Sequence, residues 1–146
     1  MAHVRQSIRD NVVTSLTGLT TTGANVFASR VYPLATGKLP GLCVYTNDET
    51  IEASTIQPPR VQLRTLTLTV EIYARGATAD DVVDTACVEI EEALYTDRTR
   101  GGNARDTRVV TFSASHTEDG DQPITVGSLS ITIDYQTAED DIEAAA

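Results

Sequence analysis

The two histidines, His3 and His116, are the first residues to weigh for chemistry. A catalytic or metal-bound imidazole needs a positioned partner that sets its tautomer and basicity. His3 stands near the start of the sequence and His116 at the close of a strand pattern beside an acidic turn, and neither has a recognisable partner. The acid pairs Asp80-Asp81, Glu91-Glu92 and Asp140-Asp141 are candidates for a divalent cation. Adjacent acids on a helix point in different directions, however. A calcium loop spaces its oxygen ligands around a glycine turn, and Glu118-Asp119-Gly120-Asp121 is too short for that, so it reads as a polar turn. There is no Gly-x-Ser-x-Gly elbow, no phosphate-binding glycine loop and no zinc-spaced Cys/His cluster. The sequence therefore reads as that of a protein that is not an enzyme and uses no metal or cofactor.

Charge is the feature that remains. The chain carries 21 acids against 11 bases, for a net charge of −10. Such a field repels phosphate backbones at long range, which argues against DNA binding by the bulk surface. The balance is uneven along the chain. Arg98, Arg100, Arg105 and Arg108 are four of the 11 bases, gathered in or just beyond a loop over 96–107. Asp80, Asp81, Asp84 and Glu91, with Glu89 and Glu92, line the wet side of the helix before it. A head-to-tail interface joins two different patches of one protein, and opposite charge orients such a contact. These two groups are thus the candidate subunit or tube interface. Asp48, Glu49 and Glu52 fall in a polar stretch over 46–59 that reads as a long loop, and they are candidate loop contacts.

The elements that must position these residues follow from periodicity. Val4, Ile8, Val12, Leu16 and Leu19 recur at helical spacing, and Gly18 with the Thr20–Gly23 run ends that helix. Strands are expected over Asn25–Tyr32 and Leu42–Tyr45. A long strand over Arg60–Arg75 puts Leu66, Leu68, Val70, Ile72 and Ala74 on one face. Val61 and Leu63 have the opposite parity, which predicts a bulge at Arg64–Thr65. Thr78 is placed to cap a second helix whose core stripe is Val83, Cys87, Ile90 and Leu94. A hairpin turning at Thr117–Asp121 closes the fold, with a second parity change predicting a bulge at Gly127. Twenty-two threonines, many alternating with aliphatic residues, suit a pleated sheet.

The expected order is α-β-β-β-α-β-β, an α+β fold with two helices on one face of a mixed, mostly antiparallel sheet. Residues 1–137 are expected to form one domain, with 138–146 a loose acidic tail. Cys43 and Cys87 sit among apolar neighbours and read as two buried thiols rather than a disulfide. No membrane span or secretory leader is recognisable, so a reducing cytosol is the expected place of synthesis.

Several strings carry a family resemblance. The helix from His3-Val4-Arg5-Gln6-Ser7-Ile8-Arg9 leads to a strand ending Arg30-Val31-Tyr32-Pro33 and then to Leu39-Pro40-Gly41-Leu42-Cys43-Val44-Tyr45-Thr46. The Thr67–Arg75 strand and the Ala79-Asp80-Asp81-Val82-Val83-Asp84 helix start also fit. Together, over most of the chain in element order, these resemble phage tail terminator proteins of the lambda minor tail protein U type and related tail-completion proteins. The resemblance implies a hexameric ring of identical subunits that caps the tail tube, stops its polymerisation and meets the head-side connector. It implies a virion location at the head-proximal end of the tail, assembly in the host bacterial cytoplasm and passage of DNA without specific binding. The tail tube protein, the connector and further copies of the chain are the implied partners. It implies no catalytic residue. A head–tail connector and a monomeric host-binding adaptor are the alternatives.

Overall fold

The computed structural model describes residues 3–23, 25–27, 40–119 and 122–145. The elements run α1 (Val4–Leu16), β1 (Val26–Phe27), β2 (Gly41–Ala53), β3 (Val61–Arg75), α2 (Ala79–Thr96), β4 (Asp106–Asp119), β5 (Gln122–Ala138) and β6 (Asp141–Ala145). The expected α+β architecture is present. One sheet has the order β1-β2-β3-β5-β4, with β6 added to the end of β5. Every pairing is antiparallel except β1 with β2.

Helix α1 buries Val4, Ile8, Val12 and Leu16, the stripe that its spacing requires. Gly18 takes φ +94°, a conformation that costs glycine little, and the chain turns there. Helix α2 buries Ala79, Val83, Ala86, Ile90 and Leu94. Ala86, rather than Cys87, completes its inward stripe, and Cys87 is only half-buried. Thr78 makes no side-chain cap, contrary to expectation; its carbonyl accepts from the Val82 amide at 3.1 Å instead. The two helices pack on one sheet face, over Leu42, Val44, Leu66, Leu68, Leu129 and Ile131 among others.

Both expected bulges are absent, for the same reason. β3 pairs with β5 without interruption from Val61 to Arg75, through Arg64–Thr65 on one strand and Gly127 on the other. The inward residues of β3 keep one parity if Arg64 is counted among them, because Arg64 is itself buried on the core side. Leu63 is exposed on the other face. Gly127 likewise faces inward, where a Cβ would lie 2.6 Å from Val83 Cγ1 and 3.1 Å from Phe112 Cε1. α2 comes close to the sheet there, so the side chain is absent while the ladder stays intact. The register shifts occur elsewhere, at Thr46/Asp48 in β2 and Val109/Thr111 in β4.

Two further expectations change. The polar stretch 46–59 is not one long loop: β2 runs on to Ala53, and a tight connection holds the Ser54 amide 2.8 Å from the Val61 carbonyl. The acidic end of the chain is not a loose tail over 141–145, because β6 pairs back on Thr137 and Ala138. The strand expected over Asn25–Tyr32 is seen at Val26–Phe27, and its Arg30–Pro33 end lies outside the described residues. So do Gly120 and Asp121 of the expected hairpin turn, while β4 and β5 pair up to Asp119 and Gln122 on either side of it. No described helix is long and apolar enough to cross a membrane.

Candidate assembly surfaces

The residues singled out from the sequence separate into structural and exposed groups. Glu49, in β2, is structural. Its Oε2 accepts from Arg5 at 2.7 Å and from Arg64 at 2.9 Å, and its Oε1 accepts from the Tyr135 hydroxyl. The Arg64 guanidinium is completed by Thr137 Oγ1 at 2.9 Å and Gln62 Oε1 at 2.8 Å. Such a cluster replaces the water that each charge gives up on burial. It ties the first turn of α1 to β2, β3 and β5. Burial and the neighbouring Glu49 carboxylate push the Tyr135 hydroxyl above its ordinary pKa.

Arg100 is also structural, although it was read as part of a cationic surface. It is fully buried. Its guanidinium donates to the Leu94 carbonyl at 2.5 Å and to the Asp97 carbonyl, which closes the C-terminus of α2. Leu94 and Asp97 belong to the turn where helical carbonyls lack intrahelical donors, and a cation there also suits the helix dipole. The other arm reaches Asn11 Oδ1 at 3.3 Å and Ser15 Oγ at 3.4 Å on α1. The loop over 97–105 is held from within: Asp97 accepts from the Gly101 amide at 2.8 Å, and Thr107 donates to the Arg98 carbonyl at 2.8 Å.

Arg98, Arg105 and Arg108 are exposed, as expected. Arg98 lies 4.6 Å from the Tyr95 ring centre and 3.7 Å from Asp106. Arg108 pairs with Asp134 at 3.1 Å and with Asp106 at 4.0 Å. No ion pair joins Arg105 to another described residue. On α2, Asp80, Asp81 and Asp84 are exposed and Glu91 is half-buried. His116 Nδ1 sits 3.7 Å from Asp80 and 3.1 Å from Thr125 Oγ1, both contacts falling on one nitrogen, so this is not a relay. Among the described residues no group of three or more His, Cys, Asp or Glu is placed to hold a metal.

Hydrophobic residues left in water mark the two sides of the sheet, and sequence reasoning missed them. On the β4 side, Val110 and Phe112 are 56% and 47% exposed. They line a groove of about 300 Å³ with Asp84, Cys87 and Glu91 of α2. Burial, with Asp84 and Glu91 close by, pushes the Cys87 thiol up to about 11. On the β2 side, Ile51 and Ile56 are 51% and 89% exposed, and Leu63, opposite Glu52 on β3, is exposed on the other face of the sheet. Asp48 and Glu52 stand exposed on the same end of β2, and no ion pair joins either to another described residue. A cleft of about 580 Å³ crosses this end of the sheet, lined by Thr50 and Glu52 at one side and by Arg105 and Asp106 at the other. The sheet face away from the helices is rich in hydroxyls, with Thr67 opposite Thr132 and Thr69 opposite Ser130.

No family model matches the chain, and no curated protein matches it. Among solved structures, a chain described as "Virion of native gene transfer agent (GTA) particle" is similar over 91% of this chain and 92% of that one, at 17% identity and a TM-score of 0.46. A likeness at that level carries no argument about what this chain does.

Proposed function

We propose that this chain is a structural subunit of a tailed-phage particle, a tail terminator that closes into a ring at the head-proximal end of the tail tube. The ring is hexameric by the resemblance to the lambda minor tail protein U type. It ends tube polymerisation and gives the head-side connector its seat. The observation that carries the reading is the presence of two unlike surfaces, each with exposed apolar residues, on opposite sides of one sheet: Val110 and Phe112 beside β4, Ile51 and Ile56 beside β2. Unlike surfaces are what a head-to-tail contact between identical copies requires, and rotation about one axis closes such contacts into a ring. The reading is of a non-catalytic, structural protein.

The test is deletion of the gene from its phage, followed by electron microscopy of the particles. Overlong tails without heads are the expected outcome. Tails of normal length lacking only heads would point to a head–tail connector, and intact particles that fail on the host would point to an adaptor.

A further inference from the structure

We infer that the ring contact is a sheet-to-sheet junction in which the acidic end of β2 of one copy meets the basic start of β4 of the next. This rests on the ring reading above and specifies its interface. β2 is antiparallel to β3, β3 to β5, and β5 to β4, so β2 and β4 of one chain run in opposite directions. Rotation about an axis roughly along the strands preserves direction. The β2 of a neighbouring copy therefore arrives antiparallel to β4, in the orientation that a continued sheet needs. Among the described residues no strand covers the far side of β4. β1 covers β2 only at Leu42 and Cys43, at the other end from Asp48–Ala53.

Level and charge then agree. Asp48 lies opposite Thr67, Thr67 opposite Thr132, and Thr132 opposite Arg108. The row above it runs Thr50, Thr65, Asp134, Asp106. Asp48 and Arg108 thus close the two ends of one row across the sheet, and Glu52 and Arg105 stand at the same end of the molecule. Within a chain the ends of that row are kept apart by two intervening strands, about 14 Å at the usual strand spacing. Between copies they come together, with Asp48 and Glu52 facing Arg105 and Arg108. Ile51 is level with Arg64 and Tyr135, and Phe112 with Leu129, Val70 and Val44, so the two add apolar area at opposite ends of the junction rather than to each other. The acids of α2 are not the partner in this arrangement, because Asp84 and Glu91 border the same groove as Val110 and Phe112 and so lie on the β4 side themselves.

The decisive experiment uses two charge-reversed full-length chains, Asp48→Lys/Glu52→Lys and Arg105→Glu/Arg108→Glu, studied by native mass spectrometry alone and mixed. Each alone puts like charges at every junction and should be monomeric under conditions where the wild type forms rings. Mixed in equal amounts, they restore opposite charge at every junction only by alternating around the ring, so an even-numbered ring of 1:1 composition is expected. The single variants Glu52→Lys and Arg105→Glu, which disturb no described ion pair, repeat the test should a double variant fold poorly. If the variants alone assemble as the wild type does, or if folded variants fail to assemble when mixed, this junction is wrong while the ring reading stands. A wild-type chain that stays monomeric at all concentrations overturns both.

Discussion

The Arg64 guanidinium lies 2.9 Å from the Glu49 carboxylate, and the two side chains are only 6% and 4% exposed. Removing one partner of a buried pair strands the other charge away from water, at a cost of about 3–5 kcal/mol. Glu49→Ala should therefore lower the melting temperature by about 10 °C or more in a domain of this size. The double variant Glu49→Leu/Arg64→Met removes both charges and should regain at least half of that loss. Thermal unfolding followed by circular dichroism reads both. A Glu49→Ala melt within 2 °C of wild type, on the order of the change for a surface pair, would mean that the cluster carries no weight.

Arg100 closes the end of α2, and its chemistry there is specific. Two carbonyls and two α1 side chains are reached by one planar fork, which a lysine cannot reproduce. Arg100→Lys and Arg100→Ala should both destabilise the monomer, by about 2–4 kcal/mol, as expected for breaking a buried hydrogen-bond network. Denaturant unfolding checks this. Arg100→Lys with unchanged stability would return the residue to the surface group in which its sequence context placed it.

Gly127 predicts a packing effect that can be reversed. Gly127→Ala drives a methyl group into Val83 and Phe112 and should cost about 1–3 kcal/mol. Val83→Ala in the same chain makes room, so the double variant should be more stable than the sum of the single changes allows. Strict additivity in a double-mutant cycle would show that α2 does not approach the sheet at that point.

High pH should weaken the fold through Tyr135. Its hydroxyl is held above the ordinary tyrosine pKa in the folded state. In the unfolded chain the same hydroxyl ionises near pH 10. Above that pH the unfolded state binds fewer protons than the folded state, so stability falls as pH rises. Cys87, raised by burial to about 11, acts in the same sense from lower pH. Urea unfolding at pH 8 and at pH 10.5 should show the decline, and Tyr135→Phe should reduce it. An equal slope in the variant would assign the effect to other groups.

Much of the fold was legible because its signals are local. The stripe Val4, Ile8, Val12, Leu16 and the alternation from Leu66 to Ala74 are written in consecutive turns and residues, and both appear as read. The misreadings come from polar residues, whose surroundings no local pattern declares. Arg64 looked like a break in parity because nothing near it in sequence shows that Glu49 and Thr137 would satisfy it on the core side. Asp48 and Glu52 looked like loop because a strand edge in water has no apolar alternation to declare it, and Glu49 because its partners Arg5, Arg64 and Tyr135 lie far along the chain. Arg100 looked like surface because helix-end carbonyls are absent from any side-chain pattern. The exposure of Val110 and Phe112 was not legible, since period two does not tell which strand ends the sheet.

The central claim is that identical copies join head to tail into a closed ring. Native mass spectrometry of the purified chain over a wide concentration range tests it most directly. A single closed stoichiometry, a hexamer, growing in at the expense of monomer with no stable dimer, is the expected spectrum. Monomer alone up to the highest concentration, or a dimer that grows no further, would contradict it.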